Sequence, residues 1–403
     1  MKENHRLLPI DALRGTAMFF VGISHISFYL LTSAPHLSAL LRAVGFFATP
    51  NFLLMSGLAC GYQLARVNTG AAALRIVDRG LFVLLVGHFL VAGSLVYIVR
   101  PGTTFEHIVI TDIIGLILCM APLLRNAKPG RLLEAGALLF VVSSAIGQSW
   151  RPTTPIGAAL AGPLLGINAG ILPDKGWISP TVPLAGLFLI GCGLGKLIDA
   201  FQHERPGAAA WRPLLVGGVT AMACAVALNV ARHFLKGSLG GSGGWEDALL
   251  ALLNVRQKIP PSLAYALFYG GLGIALVGLI GVLPRGSTDR LRRALEKLAG
   301  VPATVGRASF ISYVSLQWLV DFTPRGAGFD EVLKSPLASA AYLLLISLIM
   351  YAIAYLWDRH GGNRLLTIGL KRVPSLPVSE SQHRTTPPGR PVSYPSPRES
   401  RPA

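Results

Sequence analysis

The chain has 403 residues, of which 52% are hydrophobic and only 14% carry a charge, and its formal net charge is +17. A soluble globular protein of this length does not normally have so apolar a composition, so we expect a polytopic membrane protein. The positive charge does not indicate nucleic-acid binding, because the Lys and Arg residues lie in short loops between apolar segments rather than on one polar face.

Ten segments are about twenty apolar residues long, the length needed to cross the hydrocarbon core. Lys and Arg near their ends divide into twenty on one side and ten on the other. The richer side is expected to be cytoplasmic, which places both termini there. The sequence thus predicts an all-α polytopic bundle of about ten transmembrane helices in the inner membrane, N-in and C-in. The predicted spans are 13–32, 44–65, 80–99, 108–124, 132–150, 178–198, 213–233, 261–283, 303–322 and 337–357.

Three segments outside these spans have distinct compositions. Residues 155–173 are apolar but are interrupted by Gly and Pro, which predicts an outer loop or a re-entrant hairpin packed against protein. Apolar residues at helical spacing over 245–258 predict an amphipathic helix at the membrane surface. Residues 359–403 are predicted to be a basic, Pro- and Ser-rich disordered cytoplasmic tail, after a transmembrane domain over 1–358.

The first predicted span carries three ionisable residues, Asp11, Arg14 and His25. Charged groups inside a membrane segment are costly, so they indicate a functional site. Arg14 and His25 are eleven positions apart, about three helical turns, so their side chains share one face roughly 16 Å apart along the axis. This spacing predicts a single polar track from one membrane surface past the midplane.

The pattern Asp11-X2-Arg14-Gly15 followed by His25 resembles the first span of the integral-membrane acyltransferase superfamily, which includes the acyltransferase-3 proteins and the heparan-α-glucosaminide N-acetyltransferase-like proteins. Where relatives often have a His after the Tyr of a late Gly-Arg-X-Ser element, this chain has Leu316. Further segments similar to family motifs are ATPNFLLMSG at 48–57, KIPPSL at 258–263 and GRASFISY at 306–313, with looser similarity at 111–115 and 183–186.

The resemblance implies an acyl-CoA-dependent O- or N-acyltransferase. Acetyl-CoA is the expected co-substrate, with no metal, and a hydroxyl or amine of an envelope glycan is the expected acceptor. His25 would act as the general base, because imidazole titrates near neutral pH; the alternative is a histidine hydrogen-bonded between helices. Arg14 would hold CoA phosphates through its planar guanidinium, or else snorkel to the cytoplasmic surface. Asp11 would orient Arg14 or act as an anion at the helix N-terminus. A homodimer is left open.

Further polar residues in and near the spans are predicted to line the substrate site, each against a structural alternative. Asp112 lies in an apolar span, where a carboxylate must face protein or water, so it binds the acceptor, orients His25 or makes a structural bond. Asn51 and Ser56 either line the site, with Asn51 stabilising an oxyanion, or join helices.

Lys258, Ser262 and Gln317 complete the predicted substrate site. Ser262 follows two prolines at the start of a span, where a Ser commonly caps a helix, so this residue and Lys258 are also consistent with a structural role. Gln317, like His88, is interpreted as a packing residue in preference to a site residue.

A proton-coupled transporter or flippase is the competing hypothesis, with Arg14, His25 and Asp112 forming a relay. The sequence shows no internal repeat of the kind many transporters carry, which disfavours it. Release of free CoA thiol would distinguish the two.

Overall fold

The computed structural model describes residues 7–66, 70–99, 108–167, 179–204, 207–239, 244–286 and 289–370. In these ranges the chain folds into eighteen α-helices joined by short turns. They are α1 (Leu8–Tyr29), α2 (Pro35–Gly45), α3 (Ala48–Ala65), α4 (Gly70–Phe82), α5 (His88–Val99), α6 (Ile110–Cys119), α7 (Ala121–Arg125), α8 (Pro129–Ser149), α9 (Pro155–Leu165), α10 (Thr181–Glu204), α11 (Arg212–Leu239), α12 (Trp245–Leu252), α13 (Leu263–Tyr265), α14 (Gly271–Gly286), α15 (Asp289–Arg307), α16 (Ser309–Gln317), α17 (Thr323–Gly326) and α18 (Pro336–Arg359).

Three π-helical turns interrupt these helices, and short 3-10 turns cover Gly207–Ala210, Val332–Lys334 and Gly362–Arg364. A π-turn inserts an extra residue into a helix and frees backbone carbonyls, and it often occurs at functional sites. The three π-turns are Val83–Gly87 between α4 and α5, Ala266–Gly270 between α13 and α14, and Trp318–Phe322 between α16 and α17.

Seven helical stretches in the described part of the chain are long and apolar enough to cross a membrane. They coincide with seven predicted spans and confirm an all-helical, multi-pass membrane protein. The other three predicted spans, 13–32, 108–124 and 303–322, are also helical but are not among the seven. The total of ten and the orientation therefore stay predictions. The seven stretches are Pro35–Ala65, Ala73–Gly93, Pro129–Ser149, Thr181–Glu204, Gly207–Ser238, Leu263–Leu283 and Pro336–Arg359.

The outward faces of these helices are apolar, as expected for lipid contact. Large hydrophobic side chains are exposed on several of them, including Leu138, Val216, Phe234 and Leu344. Polar residues such as Asn51 are instead buried inside the bundle. This distribution is the reverse of a soluble protein's and matches a bundle that presents hydrocarbon outward.

Small residues allow the central helices to pack backbone against backbone. At the crossing of α3 and α10, a Cβ atom on Gly57 would lie 2.0 Å from the Phe188 carbonyl oxygen, and one on Gly195 would lie 2.1 Å from the Leu58 carbonyl oxygen. Glycine is needed at these positions because no side chain fits. Such close approach is a common way to join helices in lipid, where the hydrophobic effect does not drive association.

The segments predicted outside the spans are only partly as expected. Within 155–173 the chain forms α9, an eleven-residue helix whose N-cap Thr154 accepts the Gly157 N–H, and residues 168–178 lie outside the described ranges. The surface helix predicted over 245–258 is confined to α12. It stops early because Asn254 turns the chain by accepting the Arg256 N–H, and two prolines follow.

The first part of the predicted tail packs back onto the bundle. The buried carboxylate of Asp78 in α4 accepts the N–H groups of Ile368 and Leu370 and the hydroxyl of Thr367. Residues 371–403 lie outside the described ranges, so the proposed division at residue 358 stays a prediction.

Candidate active site

Arg14 is held where α1 crosses α15 and meets the start of α16. The helix backbones touch here, since a Cβ atom on Gly15 would lie 1.7 Å from the Pro302 carbonyl oxygen. Arg14 donates from Nη2 to the hydroxyl of buried Ser309. Asp11, also buried, lies three residues earlier on nearly the same face of α1. The guanidinium is therefore anchored inside the bundle at the end of the predicted polar track.

His25 pairs with Asp321, a residue that the sequence reasoning missed. His25 Nδ1 lies 3.3 Å from Asp321 Oδ1, although the two residues are 296 positions apart. Both side chains are mostly buried, with 17% and 11% of their surfaces exposed. The other carboxylate oxygen, Oδ2, is buried and has no hydrogen-bond partner among the described residues. A carboxylate on Nδ1 favours the tautomer in which Nε2 is the basic nitrogen.

The π-turn Trp318–Phe322 carries Asp321, and its freed carbonyl groups fix the position of that residue. Three successive carbonyl oxygens of the turn each accept a hydrogen bond from a different hydroxyl group. These three bonds hold the backbone of the turn in place. This support holds the carboxylate against His25. The bonds run from Thr323 to the Trp318 carbonyl at 3.0 Å, from Tyr342 to that of Leu319 at 2.5 Å and from Tyr29 to that of Val320 at 2.8 Å.

Asp112 pairs with His88 rather than with His25. His88 Nδ1 lies 3.1 and 3.0 Å from the two Asp112 carboxylate oxygens, and the Val109 N–H donates to Oδ2 at 3.0 Å. His88 directly follows the π-turn Val83–Gly87. The carboxylate of Asp112 therefore contacts His88, whereas the carboxylate beside His25 is that of Asp321. The His25–Asp321 and His88–Asp112 pairs are thus separate.

Tyr313 lies near the carboxylates of both pairs. The Tyr313 side chain is within electrostatic range of both Asp321 and Asp112 and within hydrogen-bonding reach of Gln317. Gln317 is buried, and its Oε1 has no hydrogen-bond partner among the described residues. Of the residues predicted to bind substrate, Gln317 and Asp112 therefore both lie near Tyr313.

Asn51 joins two helices instead of presenting a donor. Its Nδ2 donates to the Phe47 carbonyl at 2.7 Å and to the Tyr269 carbonyl at 2.9 Å, which uses both amide protons. Gly273 packs against its Oδ1. In this conformation Asn51 therefore has no N–H available for the oxyanion role predicted from the sequence. Ser56, also predicted to line the site, is buried one turn and a half further along α3.

Ser262 and Lys258 differ in how the structure uses them. Ser262 is fully buried, accepts the Tyr265 N–H at 2.9 Å and donates to the Asn254 carbonyl at 2.7 Å, so it is the N-cap of α13. Lys258 reaches instead over the Phe46 ring, with Nζ 5.8 Å from the ring centroid. Only Ser262 is thus accounted for by a local structural role.

Comparison with known protein families gives one match. The model of the family described as heparan-alpha-glucosaminide N-acetyltransferase, catalytic, matches residues 6–230. The match covers more than half of the chain. The chain belongs to this family. No protein among curated sequences matches it.

Membership of the heparan-alpha-glucosaminide N-acetyltransferase family makes this chain an acetyl-CoA-dependent acyltransferase in a multi-pass membrane protein, as its motifs predict. The matched residues include Arg14, His25 and Asp112, whereas Asp321 and Ser309 lie beyond them. Asp321 could have been found from sequence, because it is an acidic residue inside the predicted span 303–322.

Proposed function

We propose that this protein moves an acetyl group from acetyl-CoA to an amine or hydroxyl of an envelope glycan, in the inner membrane. The family match supports acetyl-CoA as the donor and a glycan amine as the acceptor. The observation that carries the proposed mechanism is the pairing of His25 with Asp321 inside the bundle. This arrangement supplies a base for the acceptor in a site with little water.

His25 acts as the general base in this mechanism. A neutral acceptor amine attacks the thioester carbonyl carbon, a C–N bond forms, and the carbonyl electrons move to oxygen. His25 Nε2 takes a proton from the attacking nitrogen. The oxyanion then collapses, the C–S bond breaks, and the proton passes to the departing sulfur. The products are an amide and free CoA thiol.

Asp321 positions His25 and stabilises the imidazolium while it holds the proton. A carboxylate on Nδ1 sets the ring orientation and the tautomer. Arg14, anchored by Ser309 and accompanied by Asp11, binds the CoA phosphates through its forked guanidinium. Gln317 and the Asp112–His88 pair line the acceptor side, with Ser56 more peripheral. These residues, and not Asn51, supply the polar contacts for substrate, because both amide protons of Asn51 already bind backbone carbonyl groups.

Thiol release by the purified full-length protein tests the proposal. The protein in detergent micelles is given acetyl-CoA and a glucosamine-terminated oligosaccharide, and free CoA thiol and acetylated sugar are measured. We expect both products from the wild type and a loss of about a hundredfold or more in His25→Ala. His203→Ala is the matched control, because that histidine side chain is 71% exposed.

The outcomes separate the hypotheses. Wild-type activity that persists in His25→Ala would overturn the assigned base. Absence of thiol release with every amine and hydroxyl acceptor would favour the transporter hypothesis, because a transporter or flippase consumes no thioester.

A further inference from the structure

Lys258 presents a partly buried ammonium group, for which the described part of the chain shows no ion-pair partner. It lies in the segment between α12 and α13, and its side chain is only partly exposed. Burial lowers the pKa of Lys258 to about 8. A buried charge costs free energy unless a partner compensates it. The Phe46 ring under Nζ supplies only a weak attraction, which does not replace a counter-charge.

Arg42 lies one turn before Phe46 at the end of α2, so the two side chains share a helix face. Its Nε is buried and has no hydrogen-bond partner among the described residues. Phe46 thus has Arg42 on its own helix face and Lys258 over its ring, and like charges near each other repel. Arg42 and Lys258 together therefore favour a negatively charged ligand.

The carbonyl groups at the end of α2 do not account for these cations. Tyr265 donates its hydroxyl to the Phe46 carbonyl at 3.0 Å, and Tyr269 donates to the Ala43 carbonyl at 3.1 Å. Helix C-terminal carbonyls commonly attract basic side chains, but here two tyrosines occupy them. The cationic groups thus remain available for a ligand.

Aromatic contacts hold the Phe46 ring, over which Lys258 lies, in a fixed position. Phe46 packs edge to face on Tyr265 and on Tyr269, with ring centroids 6.0 Å apart in both pairs. Arg256 adds a further positive charge near Tyr269. Rigid aromatic walls reduce the entropy lost on binding.

The cluster formed by Arg42, Phe46 and Lys258 is joined through α2 to the part of α1 that carries His25. A Cβ atom on Gly45 would lie 2.6 Å from the Ser24 Cβ, so α2 touches the backbone next to His25. The Ser38 hydroxyl donates to the Ser27 carbonyl at 2.7 Å. Arg14, in contrast, lies about three turns away along α1.

We propose that Arg42 and Lys258 form a binding site for an oxyanion of a substrate, a carboxylate, sulfate or phosphate, seated over Phe46. The inference rests on the proposed function in that it takes His25 as the reaction centre. The same chemistry could come from an acidic group on the acceptor or from a CoA phosphate. The contact with the His25 end of α1 favours the acceptor.

Steady-state kinetics of the full-length protein distinguish these sources. Lys258→Gln, Arg42→Gln and the double variant are assayed with glucosamine, glucosamine 6-sulfate, acetyl-CoA and acetyl-dephospho-CoA. We expect KM for glucosamine 6-sulfate to rise about tenfold or more, because charge-assisted hydrogen bonds are lost, while KM for glucosamine and acetyl-CoA is unchanged. Lys334→Gln is the control, since that ammonium is exposed and already paired with Glu331.

A rise in KM for acetyl-CoA that is absent with the dephospho form would assign the oxyanion to the CoA 3′-phosphate and still support the site. Unchanged KM for every charged substrate in the double variant would overturn it.

A second measurement does not depend on activity. We expect inorganic sulfate, compared with chloride at equal ionic strength, to raise the unfolding midpoint of the wild type. The shift should persist in Lys258→Arg and be lost in the double variant. Equal shifts in wild type and double variant would refute the site even if the protein proves inactive, whereas a selective shift without thiol release would count against the proposed function alone.

Discussion

Gly15 and Gly306 pack against each other's helix backbone where α1 crosses α15. A Cβ atom on Gly306 would lie 1.8 Å from the Asp11 carbonyl oxygen and 2.9 Å from the Gly15 nitrogen. This contact sets the distance between Arg14 and Ser309, since those residues flank the crossing. The first turns of α1, which carry Asp11 and Arg14, are thus held in place by a close crossing that only glycine at both positions allows.

We therefore expect Gly306→Ala to destabilise the protein, because the added methyl group meets backbone that cannot move aside. Overpacking of this kind costs about 1–3 kcal/mol. Gly300→Ala in the same helix is the matched control, because a Cβ atom there meets nothing within 4 Å. The control should be neutral or slightly stabilising. Unfolding midpoints in detergent test this, and equal midpoints for the two variants would refute the close crossing.

Asp321→Asn should lower kcat by roughly a hundredfold while leaving KM for acetyl-CoA near the wild-type value. The amide keeps the shape of the side chain but no longer stabilises an imidazolium at His25. Asp358→Asn is the control, because that carboxylate pairs with Arg307 at 2.7 Å away from His25. Initial rates over a range of pH measure the effect. A kcat that stays at the wild-type value in Asp321→Asn would contradict a positioning role.

Arg14→Lys should weaken binding of acetyl-CoA, because the charge remains but the forked hydrogen-bond geometry is lost. Ser309→Ala should weaken it less, since it removes only the anchor of the guanidinium. His25→Ala should bind acetyl-CoA as the wild type does, because it acts on the acceptor proton. Calorimetry with a non-hydrolysable acetyl-CoA analogue measures all three. Equal loss in Arg14→Lys and His25→Ala would mean that donor binding and proton transfer are not separated along α1.

Sulfate-dependent stabilisation should fall as the pH rises through about 8, the pKa of Lys258. The folded pKa lies below that of the unfolded chain, so between about 8 and 10.5 the unfolded state binds more protons and stability without ligand increases with pH. Binding of an anion needs the protonated form and therefore has the opposite dependence. The other titratable or charged groups of the cluster are Arg42, Arg256, Tyr265 and Tyr269.

Lys258→Met tests the contribution of the Lys258 ammonium group both to stability without ligand and to stabilisation by sulfate. Removing a buried ammonium should raise the unfolding midpoint at pH 7 while abolishing the sulfate shift. A lower midpoint with an intact sulfate shift would show that Lys258 has only a structural role.

The orientation in the membrane is tested by labelling single cysteines with an impermeant reagent in intact cells. The sequence predicts that a cysteine replacing Lys128, at the start of α8, is protected and that one replacing Trp245, at the start of α12, reacts. Reaction at the Lys128 position would invert the predicted topology. Permeabilised cells, in which both positions should react, are the control.

Local patterns determined much of this protein. Hydropathy placed the seven helical stretches that are long and apolar enough to cross a membrane, because burial in lipid depends on runs of neighbouring apolar residues. The spacing of Arg14 and His25 fixed their shared face, because helix geometry is local. Even the cap at Ser262 could be predicted, since its bond to the Tyr265 N–H spans only three residues. The motifs of the family could also be recognised, because each one is a short continuous stretch of sequence.

The partners of these residues were decided by tertiary structure alone. Nothing within a helical turn of His25 specifies Asp321, which arrives from 296 residues away on a π-turn fastened by Tyr29, Thr323 and Tyr342. Asp112 was visible as a buried carboxylate, but only the packing of α6 on the π-turn and on α5 gave it His88. Periodicity shows which face of a helix is polar, whereas the group opposite that face depends on how distant helices cross.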